Sequence, residues 1–257
     1  MDDKNAASSP GLLKQRRKKD IKIVVDNKGV SGMKNEICLK QSLIVMGDID
    51  PVTTEQYRVL YTQLEQFRAG KSSKVFAVTS ATQGEGKTVT SLNLAYLVSS
   101  EFNKKVVLVE CDLKRPSMLS GHLDTKQRYG LVSFLRGDAE LGQVISGFSE
   151  NRNLSVVPAA LNVRDSIQLL ESRRMKEMIN LFKKKFDYVI LDCPPVMPVA
   201  DMNVLSKVSD GILLVVLAGK TKKDIVEKAA KSLKERNLLG IVLNGVEMSS
   251  KDYYHYY

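Results

Sequence analysis

Val75-Phe76-Ala77-Val78-Thr79-Ser80-Ala81-Thr82-Gln83-Gly84-Glu85-Gly86-Lys87-Thr88 is the stretch that decides the fold. An apolar, β-branched run feeds a short loop with two glycines, and a helical pattern from Thr90 to Val98 follows directly. That order of strand, loop and helix is the setting a phosphate-binding loop requires. Gly84 and Gly86 let backbone N–H groups turn toward an anion with no Cβ in the way. The next helix adds the positive end of its dipole to the same spot. Lys87 supplies a full positive charge for the outer phosphates, and Thr88 a hydroxyl suited to Mg²⁺. The usual pattern has a further glycine five residues before Gly86, where this chain has Ala81. The strand-loop-helix context outweighs that departure, and the stretch reads as a nucleotide site.

The chain has 257 residues, 43% of them hydrophobic, enough for one large core with room for a tail. Cys38, Cys111 and Cys193 form neither a disulfide framework nor a metal-ligand spacing, which suits a reducing cytosol. The longest apolar run, Ile212 to Ala218, is too short to cross a bilayer, and no secretory signal is visible at the Met1 end. A cytoplasmic location is therefore expected. The net charge of +10 points to an acidic partner: nucleic acid, anionic lipid or phosphate. Much of it is local: Lys14, Arg16, Arg17, Lys18, Lys19 and Lys22 crowd one segment, and Lys183 to Lys185 form a second patch. Both also fit a solvated basic tail and a helix end; the first run could hold the chain near an anionic membrane face.

Residues 1–50 are polar and charged with short apolar patches at Ile21 to Val25 and Leu43 to Met46, and read as a largely disordered or loosely docked arm. A helix is expected after Pro51, capped by Thr53 or Thr54, with Leu60, Leu64 and Phe67 on its apolar face. Strands are predicted at 75–79, 105–110, 154–157, 188–192, 212–217 and 240–243, and helices at 88–99, 166–182 and 222–236. Continuous Val/Ile/Leu strands alternating with amphipathic helices predict an α/β fold, a doubly wound, mainly parallel sheet covered on both faces. A domain over 51–248 and a flexible tyrosine-rich tail over 249–257 complete the layout. Sites in such folds lie at the carboxyl ends of the strands.

Two strand ends carry acids there: Glu110-Cys111-Asp112-Leu113-Lys114-Arg115-Pro116 and Asp192-Cys193-Pro194-Pro195. Carboxylates at strand tips beside a phosphate loop can hold Mg²⁺ and orient an attacking hydroxyl, although a lone aspartate there is as readily a cap or turn former. Lys114 and Arg115 fit phosphate binding and plain surface charge about equally.

With these motifs and the ending Tyr253-Tyr254-His255-Tyr256-Tyr257, the chain resembles the bacterial tyrosine kinases of capsule and exopolysaccharide production, members of the deviant-Walker group of P-loop ATPases. The resemblance covers about residues 50–257. It implies ATP bound by Gly84, Glu85, Gly86, Lys87, Thr88 and Val89, Mg²⁺ at Thr88, Asp112 and Asp192, and Asn244 at the adenine. Lys87, Glu110, Asp112 and Asp192 would be catalytic, with Glu110 standing where the family usually has an aspartate that accepts the tyrosine proton. Autophosphorylation in trans would fall on Tyr253, Tyr254, Tyr256 and Tyr257. Glu55 and Arg58 match two positions of the family's ring-assembly helix, whose third position is Tyr61 here. The Pro-rich stretch usual in the family is missing around Asn162 to Ser166, and Leu217 stands where an Arg is common. Implied partners are further copies of the chain, a membrane-embedded polysaccharide co-polymerase that recruits and activates it at the inner face of the membrane, and a tyrosine phosphatase. The rival is a spatial-organisation ATPase of the septum-site or partition kind, without kinase activity. Those that bind DNA normally carry a Lys at the position of Thr82, and those that bind membranes end in an amphipathic helix, so no nucleic-acid partner is expected. An inactive nucleotide-binding regulator is argued against by the intact Lys87, Asp112 and Asp192.

Overall fold

The computed structural model describes residues 21–25, 51–68, 74–115, 129–148, 151–197 and 200–246. Strand β1 (Ile21–Val25) precedes helix α1 (Pro51–Arg68), strand β2 (Val75–Ser80), helix α2 (Lys87–Ser100) and strand β3 (Val106–Glu110). The short helices α3 (Leu131–Arg136) and α4 (Leu141–Val144) follow, then β4 (Ser146–Phe148) and β5 (Asn151–Val157). Helices α5 (Ser166–Glu171) and α6 (Arg173–Lys185), β6 (Tyr188–Asp192), α7 (Asp201–Val208), β7 (Gly211–Leu217), α8 (Lys223–Leu233) with a 3₁₀ turn (Lys234–Arg236), and β8 (Leu238–Asn244) complete the described order.

One eight-stranded sheet runs β1-β8-β7-β2-β6-β3-β5-β4, parallel throughout except for the β4–β5 pair. The expected doubly wound layout is thus what forms. Strand β2 is central and buried at every residue, which is why its sequence is continuously apolar rather than alternating. Its side chains divide between two cores. Phe76 and Val78 pack with Tyr57, Leu60 and Leu64 of α1 and Leu92, Leu94 and Leu97 of α2. Val75 and Ala77 pack on the other face with Met175, Met178 and Phe182 of α6 and Leu205 of α7. Burial of each such large apolar side chain stabilises the fold by about 1.5–3 kcal/mol.

The differences from the expectations have local causes. The stretch Ile21 to Val25, read as part of a loose arm, forms a strand paired with Gly240–Asn244 of β8, because a β-branched run can complete an open sheet edge. The single helix expected over 166–182 is two, α5 and α6. Ser172 breaks it by leaving the helical region, and its hydroxyl accepts the Met175 N–H at 3.2 Å as the cap of α6. Helices α3, α4 and α7 and strand β4 were not anticipated; all are short and carry little periodic signal. Helix α1 begins at Pro51, before either threonine, in keeping with proline's preference for a first helical turn.

The strand order decides where the chemistry can sit. The phosphate loop leaves β2 between β6 and β7, so Asp192 ends an immediate neighbour, whereas Glu110 ends the strand beyond it. Glu110 and Asp192 are register partners, and by the two-residue alternation both project to the face that carries α2.

Candidate active site

The loop between β2 and α2 is held in shape by its own backbone and by two distant segments. Gly84 and Gly86 both adopt left-handed conformations, φ +80° and +91°. At Gly86 a side chain is excluded twice, since a Cβ would also lie 2.1 Å from Asn244 Nδ2. Asn244, at the end of β8, donates that amide to the Glu85 carbonyl at 2.8 Å. The Glu85 carboxylate is buried and accepts the Thr82 N–H at 2.6 Å and the hydroxyl of Thr221, from the turn after β7. Glu85 is therefore a brace of the loop, its side chain turned inward. Asn244 Oδ1 is left buried without a partner. An unmatched buried acceptor costs free energy that an N–H donor would recover, and the exocyclic amine of adenine is such a donor.

Lys87, the first residue of α2, lies 3.1 Å from Asp112 Oδ2. Burial alone would lower its pKa, but Asp192 and Asp112 outweigh that and hold it above the ordinary lysine value. Asp192 is buried; desolvation raises its pKa, against the opposing pull of Lys87 and of hydrogen bonds from the Thr88 and Ser91 hydroxyls. Desolvation thus dominates at Asp192, whereas charge pairing dominates at Lys87. Lys87, Thr88, Asp112 and Asp192 are consequently gathered at one point beside the loop. Thr88, Asp112 and Asp192 offer hard oxygen donors, the kind Mg²⁺ takes, together with substrate phosphates and water. No trio of His, Cys, Asp or Glu among the described residues is placed to hold a metal unaided. The donor set fits a cation shared with a nucleotide.

Glu110 is placed differently from the role the resemblance implies. Its carboxylate is buried and accepts the Ala159 N–H at 2.9 Å, just past the end of β5. Strand β6 stands between β3 and β2, which leads into the phosphate loop, and this contact ties Glu110 toward β5, on the same face as Asp192. Next along the chain, Lys114 Nζ is 2.7 Å from Asp201 Oδ2, and Asp201 also accepts from Ser166. Cys111 and Cys193 are buried beside these acids, and desolvation pushes both thiols well up, which leaves them poor nucleophiles.

Glu55 and Arg58 lie on α1, where the Arg58 guanidinium contacts Glu55 at 2.9 Å and Glu101 at 2.7 Å. The four tail tyrosines lie outside the described residues. Sequence reasoning missed Ser91, Asp201 and Thr221. Ser91 carried a readable signal, one helical turn from Lys87 and Thr88. Asp201 and Thr221 carried none, because tertiary packing brings them to the loop and to Lys114.

A family model described as an AAA domain matches residues 73–235. The chain is 33% identical over 221 residues to the tyrosine-protein kinase YwqD of Bacillus subtilis (strain 168), covering 85% of this chain and 92% of that one. It is 32% identical over 200 residues to the succinoglycan biosynthesis transport protein ExoP of Rhizobium meliloti (strain 1021), covering 76% of this chain and 25% of that much longer protein. Among solved structures, the kinase domain of the Escherichia coli tyrosine kinase ETK superposes with a TM-score of 0.71 at 27% identity, covering 77% of this chain and 78% of that one.

Proposed function

The chain belongs to the bacterial tyrosine-protein kinases, and we propose that it transfers the γ-phosphoryl group of ATP to Tyr253, Tyr254, Tyr256 and Tyr257 of a neighbouring copy, in the service of exopolysaccharide or capsule production. The observation that carries this reading is the convergence of Lys87, Asp112 and Asp192 beside a loop braced by Glu85 and Asn244. The longer relative named for succinoglycan biosynthesis and transport supports the polysaccharide setting; a membrane-embedded co-polymerase that recruits and activates the chain, and a tyrosine phosphatase, are the partners the resemblance implies. The spatial-organisation alternative shares the fold, but no feature of this site favours it over the kinase reading.

In this mechanism Lys87 leaves Asp112 for the incoming β- and γ-phosphates, a charge-assisted contact that strengthens as charge develops on the transferring group. Thr88, Asp112 and Asp192 would hold Mg²⁺, whose charge would offset that of the phosphates. The tyrosine oxygen forms a bond to the γ-phosphorus as the bond to the β–γ bridging oxygen breaks, and ADP leaves with that electron pair. The hydroxyl proton must pass to a carboxylate near the loop. Glu110 is the group the resemblance assigns; its carboxylate accepts from Ala159, while Asp112 is engaged by Lys87. Transfer between copies requires a tyrosine hydroxyl of one chain to be presented in line with the γ-phosphorus at the loop of another.

The test mixes a Lys87→Met chain with an active chain lacking residues 253–257, with ATP, Mg²⁺ and the cytoplasmic segment of a membrane activator. Phosphotyrosine is expected on the tail of the Met variant. Its absence, while intact wild-type chain still acquires phosphotyrosine on its own tail under the same conditions, would rule out transfer in trans.

A further inference from the structure

A cavity of about 510 Å³ opens beside Asp112, between Thr82 and Gln83 of the phosphate loop and a wall that includes Lys114, Arg115 and Pro194. Asp112 is also the carboxylate that holds Lys87, so the cavity leads to the point where Lys87 would meet the outer phosphates. Two cations line it, and they are not equivalent. Lys114 is bound at 2.7 Å by Asp201, which is only 1% exposed, so its charge is matched and its position fixed. Arg115 is half-buried and, among the described residues, has no ion pair or hydrogen bond. A guanidinium with its donors unspent, set in a wall of proline and methionine, suits a carboxylate or phosphate taken side-on by two parallel N–H groups.

We propose that Arg115 is a specificity-determining residue for the acceptor, binding a negative charge immediately beside the tyrosine that is phosphorylated: an aspartate at first, a phosphotyrosine afterwards. The inference rests on the reading of the tail as acceptor. The tail has that chemistry, with Asp252 directly before Tyr253 and the tyrosines in two adjacent pairs, Tyr253-Tyr254 and Tyr256-Tyr257. Once one member of a pair is modified, its neighbour is flanked by close to two negative charges. Transfer to the second member is then favoured over the first. Because Lys114 is already neutralised by Asp201, the cavity offers, among the described residues, one free cation. It retains a singly phosphorylated pair, and a fully phosphorylated tail exceeds what it can match.

Fluorescent peptides of the sequence Ser249 to Tyr257 provide the test: unmodified, with Asp252→Asn, and with phosphotyrosine at Tyr254. Each is titrated into the full chain, wild type and Arg115→Gln, and the affinity for a fluorescent ATP analogue is measured alongside. The phosphopeptide should bind wild type about three- to tenfold more tightly than the unmodified peptide, and the Asn peptide more weakly than either. In Arg115→Gln the three affinities should converge, with ATP affinity unchanged. A preference that survives in Arg115→Gln, no preference in wild type, or a loss of ATP affinity placing Arg115 on the nucleotide would each overturn the proposal. The peptide preferences are read without the tail of the chain itself being phosphorylated. Failure of the trans-phosphorylation assay with these preferences intact would therefore reject transfer in trans and leave the charge-reading cavity standing.

Discussion

Lys87 and Arg58 are each a cation between two acids, in opposite surroundings. Lys87 stands between Asp112 and Asp192 with its side chain 16% exposed and that of Asp112 8% exposed. Arg58 stands between Glu55 and Glu101 with 43%, 40% and 32% exposed. Both cations have raised pKa values, Lys87 against the cost of burial and Arg58 chiefly through its hydrogen bond to Glu101. Coulomb attraction grows as the effective dielectric falls, so the buried group is coupled to its neighbours and the exposed one is screened. The same composition makes a buried candidate active site in one place and a surface clasp in the other.

Removing the buried cation should break this contrast most severely. In Lys87→Met two carboxylates lose their counter-charge, which is expected to cost on the order of 3 kcal/mol at neutral pH while leaving a folded chain. ATP turnover and tyrosine phosphorylation should fall by about a hundredfold or more. Without the lysine, the folded-state pKa of Asp192 rises further above its unfolded value. A group so raised contributes stability below the unfolded value and loses it as pH rises through the folded one. The stability deficit of the Met variant should therefore shrink as pH is lowered from 8 toward 5, read by thermal melts. Wild-type turnover with an unchanged circular dichroism spectrum would reject the site.

Next in size are the acids. Asp112→Asn and Asp192→Asn replace a carboxylate with an amide, a poorer ligand for a hard cation, and each should shift the Mg²⁺ dependence of the rate to higher concentration by about tenfold. Their effects on stability should differ. Asp192 is raised by desolvation, so its ionised form opposes folding at neutral pH, and Asp192→Asn should melt no lower than wild type there. Loss of activity without loss of stability would mark Asp192 as a group kept for chemistry. Unshifted Mg²⁺ curves in both variants would make the two acids structural.

How far the chain was legible follows from the range of each interaction. The strand over 188–192 was placed at its observed ends, because a central parallel strand must be apolar throughout and Asp192 ends it. Lys87, Thr88, Asp112 and Asp192 were identified from the phosphate loop and two strand tips, and the structure gathers them. The partners of Glu85 and Glu110 were not legible. Thr221 lies 136 residues from Glu85, and Ala159 lies 49 from Glu110. Only the strand order reveals that β6 comes between Glu110 and the loop. The split of the helix at Ser172 was hidden for a different reason, since serine at a cap and serine on an exposed helix face look alike in sequence.

The smallest effect belongs to the exposed clasp, and it sharpens the contrast most because stability and assembly should separate there. Arg58 donates to both oxygens of Glu101, Nε at 2.7 Å and Nη2 at 2.9 Å, and a further nitrogen to Glu55. Exposed pairs of this kind contribute less than about 1 kcal/mol and fade with salt, so Glu101→Gln should barely change the melting temperature and less still in high salt. Assembly through α1, expected from Glu55 and Arg58, would require Arg58 to exchange Glu101 for an acid of a second copy. If that exchange occurs, Glu101→Gln frees Arg58 and should increase the mass seen by light scattering. The Glu55→Ala, Arg58→Ala double variant should decrease it. Equal masses for wild type and both variants would show that the clasp only joins α1 to the end of α2, and that copies meet elsewhere.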